Sequence, residues 1–134
     1  MPNQNITAKD LKGKTGITRL INATRYSRDG IKAAWKSEEA FREEAIIALI
    51  LIPVAVFLPV EITLKLWCVF SVLFLMVVEV LNTAIEACID RIGPQIHEKS
   101  KLAKDLGSAA VLFSIVFVVI VWGLTLFELA KNSF

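Results

Sequence analysis

The chain has 134 residues, of which 55% are hydrophobic and 21% charged, and its formal net charge is +2. This length fits one domain, and so small a net charge excludes a strongly basic nucleic-acid-binding protein. The mean hydropathy of +0.61 exceeds that of an ordinary soluble fold because the apolar residues come in long blocks. The composition therefore indicates an integral membrane protein.

The first 44 residues are predicted to lie outside the membrane. Residues 1–15 carry no apolar periodicity and are expected to form a mobile tail, and no secretory signal precedes the first apolar run. Over residues 16–44, apolar side chains recur at helical spacing among Arg and Lys residues. Gly30 is predicted to separate two short helices. Such a cationic amphipathic segment beside a membrane span is expected to lie in the interface plane.

Three apolar runs are predicted to cross the membrane. The first covers residues 45–60 and reaches only about 24 Å. The second covers residues 62–90 and is longer than the hydrocarbon core of roughly 30 Å, so its last turns should project towards water. A Gly-Pro pair at positions 93–94 ends this helix, and the third span covers residues 101–128. Residues 16–134 are therefore predicted to form a single all-α, polytopic membrane domain.

The distribution of Lys and Arg predicts the orientation of the spans. Most of these residues precede the first span or lie beside the connection between the second and third. Because cytoplasmic segments carry an excess of Lys and Arg, the N-terminus is expected in the cytoplasm and the C-terminus on the outer side. This orientation brings the amphipathic segment and the end of the second span to the cytoplasmic interface.

The second span ends in an acidic stripe formed by Glu79, Asn82, Thr83, Glu86 and Asp90. At about 100° per residue these side chains share roughly a quarter of the helix circumference. A charged side chain at the centre of a membrane helix costs roughly 2.5 to 3.5 kcal/mol, so the stripe indicates a functional site that binds a metal and accepts a proton. The opposite side of the helix is formed by Leu81, Ala84, Ile85 and Cys88.

Phosphoryl transfer is one chemistry that these residue types support. Carboxylate oxygens hold Mg²⁺ on nucleotide phosphates, a carboxylate accepts the proton of an attacking hydroxyl, and a cation offsets the developing charge. The six glycines are scattered and form neither a Walker loop nor a kinase glycine-rich loop. Spacing alone leaves open proton or cation coupling at a buried Glu, and simple hydrogen bonding between helices. The residues considered for phosphoryl transfer are Glu38, Glu39, Glu79, Asn82, Glu86 and Lys104.

Several residues around the stripe have structural interpretations. Residues 107–110 form a small-residue patch that allows neighbouring helices to approach closely. Asp90 and Arg91 are interpreted as a structural pair at the interface. Cys68 and Cys88 would lie roughly 30 Å apart on one helix, too far to form a disulfide.

Five segments of the chain carry a resemblance to a known family. They are GITR at 16–19, AAW at 33–35, EEAFR at 38–42, EVLNTAIEACIDRIG at 79–93 and AKDLGSAA at 103–110. With these segments the chain resembles the small prokaryotic integral-membrane diacylglycerol kinases. The resemblance implies a homotrimer of three-span protomers in the bacterial cytoplasmic membrane, each with an N-terminal amphipathic surface helix. It also implies transfer of the γ-phosphoryl group of MgATP to diacylglycerol, which yields phosphatidic acid.

The resemblance also implies roles for individual residues. Glu79 would be the general base, Asn82 and Lys104 would assist catalysis, and Glu38 and Glu86 would bind Mg²⁺, although Glu39 beside Glu38 is a second candidate ligand. The residues expected around the nucleotide are Arg19, Tyr26, Glu38, Glu86, His97, Lys104 and Asp105. Those expected around the lipid substrate are Arg19, Ala23, Ser27, Trp35, Phe41, Glu44, Glu79 and Ser108.

Three alternatives stand beside this interpretation. An undecaprenol kinase of the same family would share the motifs and differ in the lipid alcohol. A small proton-coupled transporter would use Glu79 as a proton carrier and need no ATP. An assembly subunit without catalysis would use the stripe only to fix helix packing.

Overall fold

The computed structural model describes residues 15–95 and 97–132, and it forms four helices. They are α1 (Ile17–Ser37), α2 (Glu39–Phe57), α3 (Ile62–Ile92) and α4 (Glu98–Lys131). No strand occurs within these described ranges, which confirms the predicted all-α class. The tail predicted over residues 1–15 lies outside the described residues except for Thr15.

The first helix, α1, forms a compact unit of its own that ends at Ser37. It continues through Gly30 without interruption, so the predicted division into two short helices is wrong. A glycine in a helix interior costs only about 1 kcal/mol relative to Ala, which the flanking helix formers tolerate. The break comes instead at Glu38, whose φ of −110° and ψ of 117° are extended.

The two long helices α3 and α4 are apolar enough to cross a membrane, by length and composition. The uncharged part of α2 is shorter, because α2 begins with the charged segment Glu39–Glu44. The part of α2 that follows, residues 45–57, begins where the first predicted span begins and ends three residues before it. The described residues therefore contain two helices that meet the length and hydropathy expected of a membrane span.

Helix α3 packs against both α2 and α4. Its buried residues recur at intervals of three and four and end at Glu79, after Cys68, Ser71, Val72 and Leu75. This spacing places them on one stripe of the helix. The buried residues of α2 are Phe41, Ala48 and Ala55, and those of α4 are Gly107, Ser114 and Thr125.

Small and polar residues hold α3 and α4 together away from the acidic stripe. The Cys68 Sγ and Thr125 Oγ1 atoms lie 3.3 Å apart in a buried hydrogen bond. Both side chains are fully buried, and small side chains at such positions let helix backbones approach closely. Cys68 and Cys88 are free thiols, as the sequence predicts.

The connection between α3 and α4 is short, and one residue at each end gives it its shape. Gly93 follows the last residue of α3 and has a φ of 141° and a ψ of 168°, a conformation that residues with a Cβ atom rarely adopt. His97 caps α4, because its Nδ1 accepts a hydrogen bond from the Lys99 N–H at 3.1 Å. Helix α4 therefore begins at Glu98, ahead of the third predicted span.

Replacing Gly93 by alanine tests whether this turn requires glycine. Gly93→Ala is expected to lower the free energy of unfolding by roughly 1–3 kcal/mol, because alanine is strained at this positive φ. Gly30→Ala is the matched control, since Gly30 lies inside α1 with open space around it. That change should stabilise the helix by up to about 1 kcal/mol. Denaturant unfolding of both variants in detergent micelles gives the comparison, and equal stability of the two would contradict it.

Candidate active site

The acidic stripe lies on the side of α3 that faces its neighbours in the structure. Glu79 is only 4% exposed, and no other charged side chain among the described residues is buried. Asn82, Thr83 and Glu86 are half-buried. The residues predicted for the opposite side, Leu81, Ala84, Ile85 and Cys88, are all exposed. The predicted division of the helix into two sides is therefore confirmed for these residues, whereas Asp90, the last member of the stripe, is exposed.

Three other carboxylates lie within electrostatic range of Glu79. Glu86 lies two turns further along α3, Glu38 immediately precedes α2, and Glu44 lies in the second turn of α2. Each of the three interacts electrostatically with Glu79. Like charges at close range repel each other, and a cluster of this kind favours a bound cation or the uptake of a proton.

Glu44 is the member of this cluster that directly precedes the first predicted span. Burial raises the pKa of its carboxyl to about 7, and the nearby Glu79 carboxylate contributes to the rise. At neutral pH this carboxyl is therefore divided between its protonated and ionised forms. Its Oε2 atom is buried without a hydrogen-bond partner.

Asn82 connects the acidic cluster to α4. Its Nδ2 donates a hydrogen bond to Glu86 Oε1 at 3.5 Å, whereas its Oδ1 is buried without a hydrogen-bond partner. Gly107 of α4 lies against this carboxamide, because a Cβ atom placed there would overlap Oδ1. Within the small-residue patch at 107–110, Gly107 is thus the buried residue and contacts α3 beside the cluster, whereas Ser108 is exposed.

Lys104 lies at the same end of α4 and forms an ion pair with α3. Its Nζ is 2.6 Å from Asp90 Oδ1, and the two side chains are 38% and 68% exposed. The predicted pairing of Asp90 with Arg91 is therefore wrong. Asp90 instead meets a cation of the neighbouring helix, because the short connection brings the end of α3 opposite the second turn of α4. Asp105 pairs with Lys101 one turn earlier on α4.

The other predicted site residues divide between two parts of the molecule. Phe41 is buried on α2, and His97 is exposed and caps α4. The remaining five lie on α1, which is a separate compact unit, and each of them is exposed there. These are Arg19, Ala23, Tyr26, Ser27 and Trp35.

The oxygen atoms around Glu79 suit Mg²⁺ that is shared with a phosphate group. Among the described residues, no group of three His, Cys, Asp or Glu side chains is arranged to hold a metal ion. Mg²⁺ typically binds through one or two carboxylates together with substrate phosphates and water. The buried Oε2 of Glu44, which lacks a hydrogen-bond partner, is a hard oxygen atom of the kind that such an ion and its waters require. The donor set therefore fits Mg²⁺ brought with a nucleotide.

Two residues at this end of the molecule have no individual site role in the prediction from sequence. Asp90 anchors Lys104, and Gly107 accommodates Asn82. The sequence feature that points to Gly107 is its place in the small-residue patch, which predicts close helix packing. Only the packed helices show that its neighbour is Asn82. For Asp90, the sequence feature that points to its partner is the short connection, because the end of α3 and the start of α4 must then lie side by side.

Comparison with known proteins supplies a family for the chain. Residues 25–126 match the sequence model of prokaryotic diacylglycerol kinase. The chain is 47% identical over 114 residues to the diacylglycerol kinase of Escherichia coli K12, which covers 85% of this chain and 93% of that protein. It is 50% identical over 116 residues to the diacylglycerol kinase of Haemophilus influenzae, covering 84% and 96% respectively. A Pseudomonas aeruginosa diacylglycerol kinase is 41% identical over 111 residues, covering 83% and 90%.

Removing the Asp90 carboxylate tests how much the ion pair with Lys104 contributes to stability. Asp90→Asn is expected to lower the free energy of unfolding by at most about 1 kcal/mol, because both side chains are partly exposed. The loss should shrink as salt is added, since salt screens exposed charges. Asp29→Asn is the control, because Asp29 pairs with its exposed neighbour Arg28 at the longer distance of 3.4 Å and the change should affect stability less. A larger, salt-independent loss in Asp90→Asn would contradict the expectation.

Proposed function

Because this chain belongs to the prokaryotic diacylglycerol kinase family, we propose that it transfers the γ-phosphoryl group of MgATP to the hydroxyl group of diacylglycerol. The product is phosphatidic acid, and the reaction takes place at the cytoplasmic face of the bacterial inner membrane. The relatives reported above are all diacylglycerol kinases, which favours this lipid over undecaprenol.

The observation that supports the proposal most is the burial of Glu79 among other carboxylates. A buried carboxylate surrounded by like charges is costly for the fold, so stability alone does not explain it. Such a group is suited to accept a proton when a substrate hydroxyl and a cation are present. Perturbed acidic groups of this kind are concentrated at functional sites.

In the proposed reaction, Glu79 accepts the proton of the diacylglycerol hydroxyl as the oxygen forms a bond to the γ-phosphorus. The bond between this phosphorus and the β,γ-bridging oxygen breaks, and ADP leaves with the electron pair. Glu38 and Glu86 would hold Mg²⁺, which offsets charge on the phosphate oxygens when bound. Asn82 orients Glu86 through its Nδ2, and Lys104 adds a positive charge beside the phosphates.

The remaining residues with proposed roles surround the two substrates. Helix α1 contributes residues to the proposed nucleotide contacts and to the proposed lipid contacts. The proposed nucleotide contacts are Arg19, Tyr26, Glu38, Glu86, His97, Lys104 and Asp105. The proposed lipid contacts are Arg19, Ala23, Ser27, Trp35, Phe41, Glu44, Glu79 and Ser108.

The proposed membrane arrangement follows from the helices and the charge pattern. Helices α3 and α4 have the length and hydropathy of membrane spans, and we propose that residues 45–60 form a third. Most Lys and Arg residues outside the spans flank the cytoplasmic ends, which favours a cytoplasmic N-terminus and an outer C-terminus. The apolar and cationic side chains of α1 suit a surface helix. A homotrimer would cover part of the apolar surface and share sites between protomers.

Replacing Glu79 by glutamine tests the proposed general base. The wild-type chain in mixed micelles is expected to transfer labelled phosphate from γ-labelled MgATP to diacylglycerol, and Glu79→Gln should lose about 10²- to 10⁴-fold in kcat. Glu61→Gln is the control, because Glu61 is an exposed carboxylate at the other end of α3, and should keep wild-type activity.

Three results would contradict parts of this proposal. Wild-type labelling of undecaprenol but not diacylglycerol would overturn the substrate assignment and keep the kinase chemistry. Labelling of neither lipid would overturn the kinase assignment and favour the transporter or assembly alternatives. Full activity in Glu79→Gln would reject this residue as the base.

A paired substitution distinguishes Glu38 from Glu39 as the metal ligand. Glu38 is half-buried and interacts with Glu79, whereas Glu39 is exposed. Glu38→Gln is therefore expected to raise the Mg²⁺ concentration for half-maximal activity by roughly tenfold or more, and Glu39→Gln should leave it unchanged. Titration of activity with Mg²⁺ at saturating ATP gives both values. The opposite order would assign the ligand to Glu39.

A further inference from the structure

Gly107 is distinguished from the other helical glycines of the described chain by what lies against it. A Cβ atom at position 107 would overlap Asn82 Oδ1 and lie 3.3 Å from Asn82 Cγ, whereas one at Gly123 on the same helix would meet nothing within 4 Å. Gly107 is also buried. The space that a side chain would fill at position 107 is therefore taken by the Asn82 carboxamide.

The carboxamide of Asn82 is planar, so the position of its oxygen determines the direction of its nitrogen. The oxygen lies beside Gly107 and has no hydrogen-bond partner. The nitrogen then donates to Glu86 Oε1 at 3.5 Å. A buried amide oxygen without a partner is unfavourable, so this orientation depends on the hydrogen bond to Glu86 and on the open space at Gly107 that admits the oxygen.

We propose that Gly107 is a positioning residue for phosphoryl transfer: its lack of a side chain leaves the space that the Asn82 carboxamide needs for Nδ2 to donate to Glu86. This inference rests on the proposed kinase function, in which Glu86 is a ligand of the catalytic Mg²⁺. It adds to that function a residue on α4 that touches neither substrate and acts through Asn82.

A methyl group introduced at position 107 would overlap the end of the Asn82 side chain, which is flexible. This flexibility determines how the protein would accommodate the methyl group. The amide can rotate away at little cost, whereas separating the helices would disturb the buried Cys68–Thr125 contact and the Lys104–Asp90 ion pair. A rotated amide withdraws the donor from Glu86. Gly107→Ala should therefore reduce catalysis and leave the stability of the fold nearly unchanged.

The test compares Gly107→Ala with Gly123→Ala in the full chain, in mixed micelles with MgATP and diacylglycerol. Gly107→Ala is expected to lower kcat by roughly 10- to 100-fold, the scale of loss from a small misplacement in an active site. Its KM for MgATP and its thermal unfolding midpoint should remain close to wild type. Gly123→Ala should match wild type in all three quantities.

A second pair of variants separates positioning from a general packing defect. In an Asn82→Ala background the carboxamide is absent, so Gly107→Ala should cause no further loss of kcat. Equal kcat values for Asn82→Ala and the double variant support the inference, because coupled residues are non-additive. A further loss in the double variant, or a fall in the unfolding midpoint that parallels the fall in kcat, would overturn it.

The remaining outcomes distinguish this inference from the proposed function. Wild-type transfer of phosphate together with an unimpaired Gly107→Ala variant would overturn the inference alone. Absence of transfer by the wild type to diacylglycerol or undecaprenol would overturn the proposed function and the inference with it.

Discussion

Burial of the Glu79 carboxylate is the constraint on which the arrangement of this protein depends. The stripe of α3 that packs against its neighbours begins with Cys68, Ser71, Val72 and Leu75 and then continues into an acid instead of another apolar residue. A charge in such a place requires compensation, yet the groups identified around it are the carboxylates of Glu38, Glu44 and Glu86. The helices thus assemble a site with excess negative charge, which a cation carried by a nucleotide would balance.

Close packing of α4 on α3 makes this assembly possible. Apolar side chains contribute little to helix association within lipid, where the surroundings are equally apolar. At two levels the contact is made by residues with little bulk, with Thr125 against Cys68 at one and Gly107 against Asn82 at the other. Elsewhere Phe117 of α4 packs edge-on against aromatic rings of α3, those of Trp67, Phe70 and Phe74. The contact at Gly107 therefore also leaves room for the Asn82 amide within the acidic cluster.

The short connection between α3 and α4 places the charged ends of both helices side by side. Gly93 ends α3 in a conformation that suits glycine, and His97 caps the first turn of α4. Asp90 and Lys104 meet as a consequence. Lys104, the proposed nucleotide-binding lysine, is thus held by an acid on the same helix as Glu79, the proposed base. The short connection between α3 and α4 therefore links the proposed nucleotide contacts on α4 to the base on α3.

The sequence by itself determined the helical class, the ends of α3 and the stripe that carries Glu79, because these depend on local periodicity, on a Gly-Pro pair and on the cost of charge in an apolar run. The same local reasoning placed a helix break at Gly30, where the cost of glycine is too small to interrupt α1, and it paired Asp90 with its neighbour in sequence. Only the tertiary structure decided that Asp90 meets Lys104, that Glu44 and Glu38 join Glu79, and that Asn82 fills the space at Gly107. These contacts link residues on different helices, and their distances depend on how closely the helix backbones pack. The periodicity along a single helix carries no information about that packing.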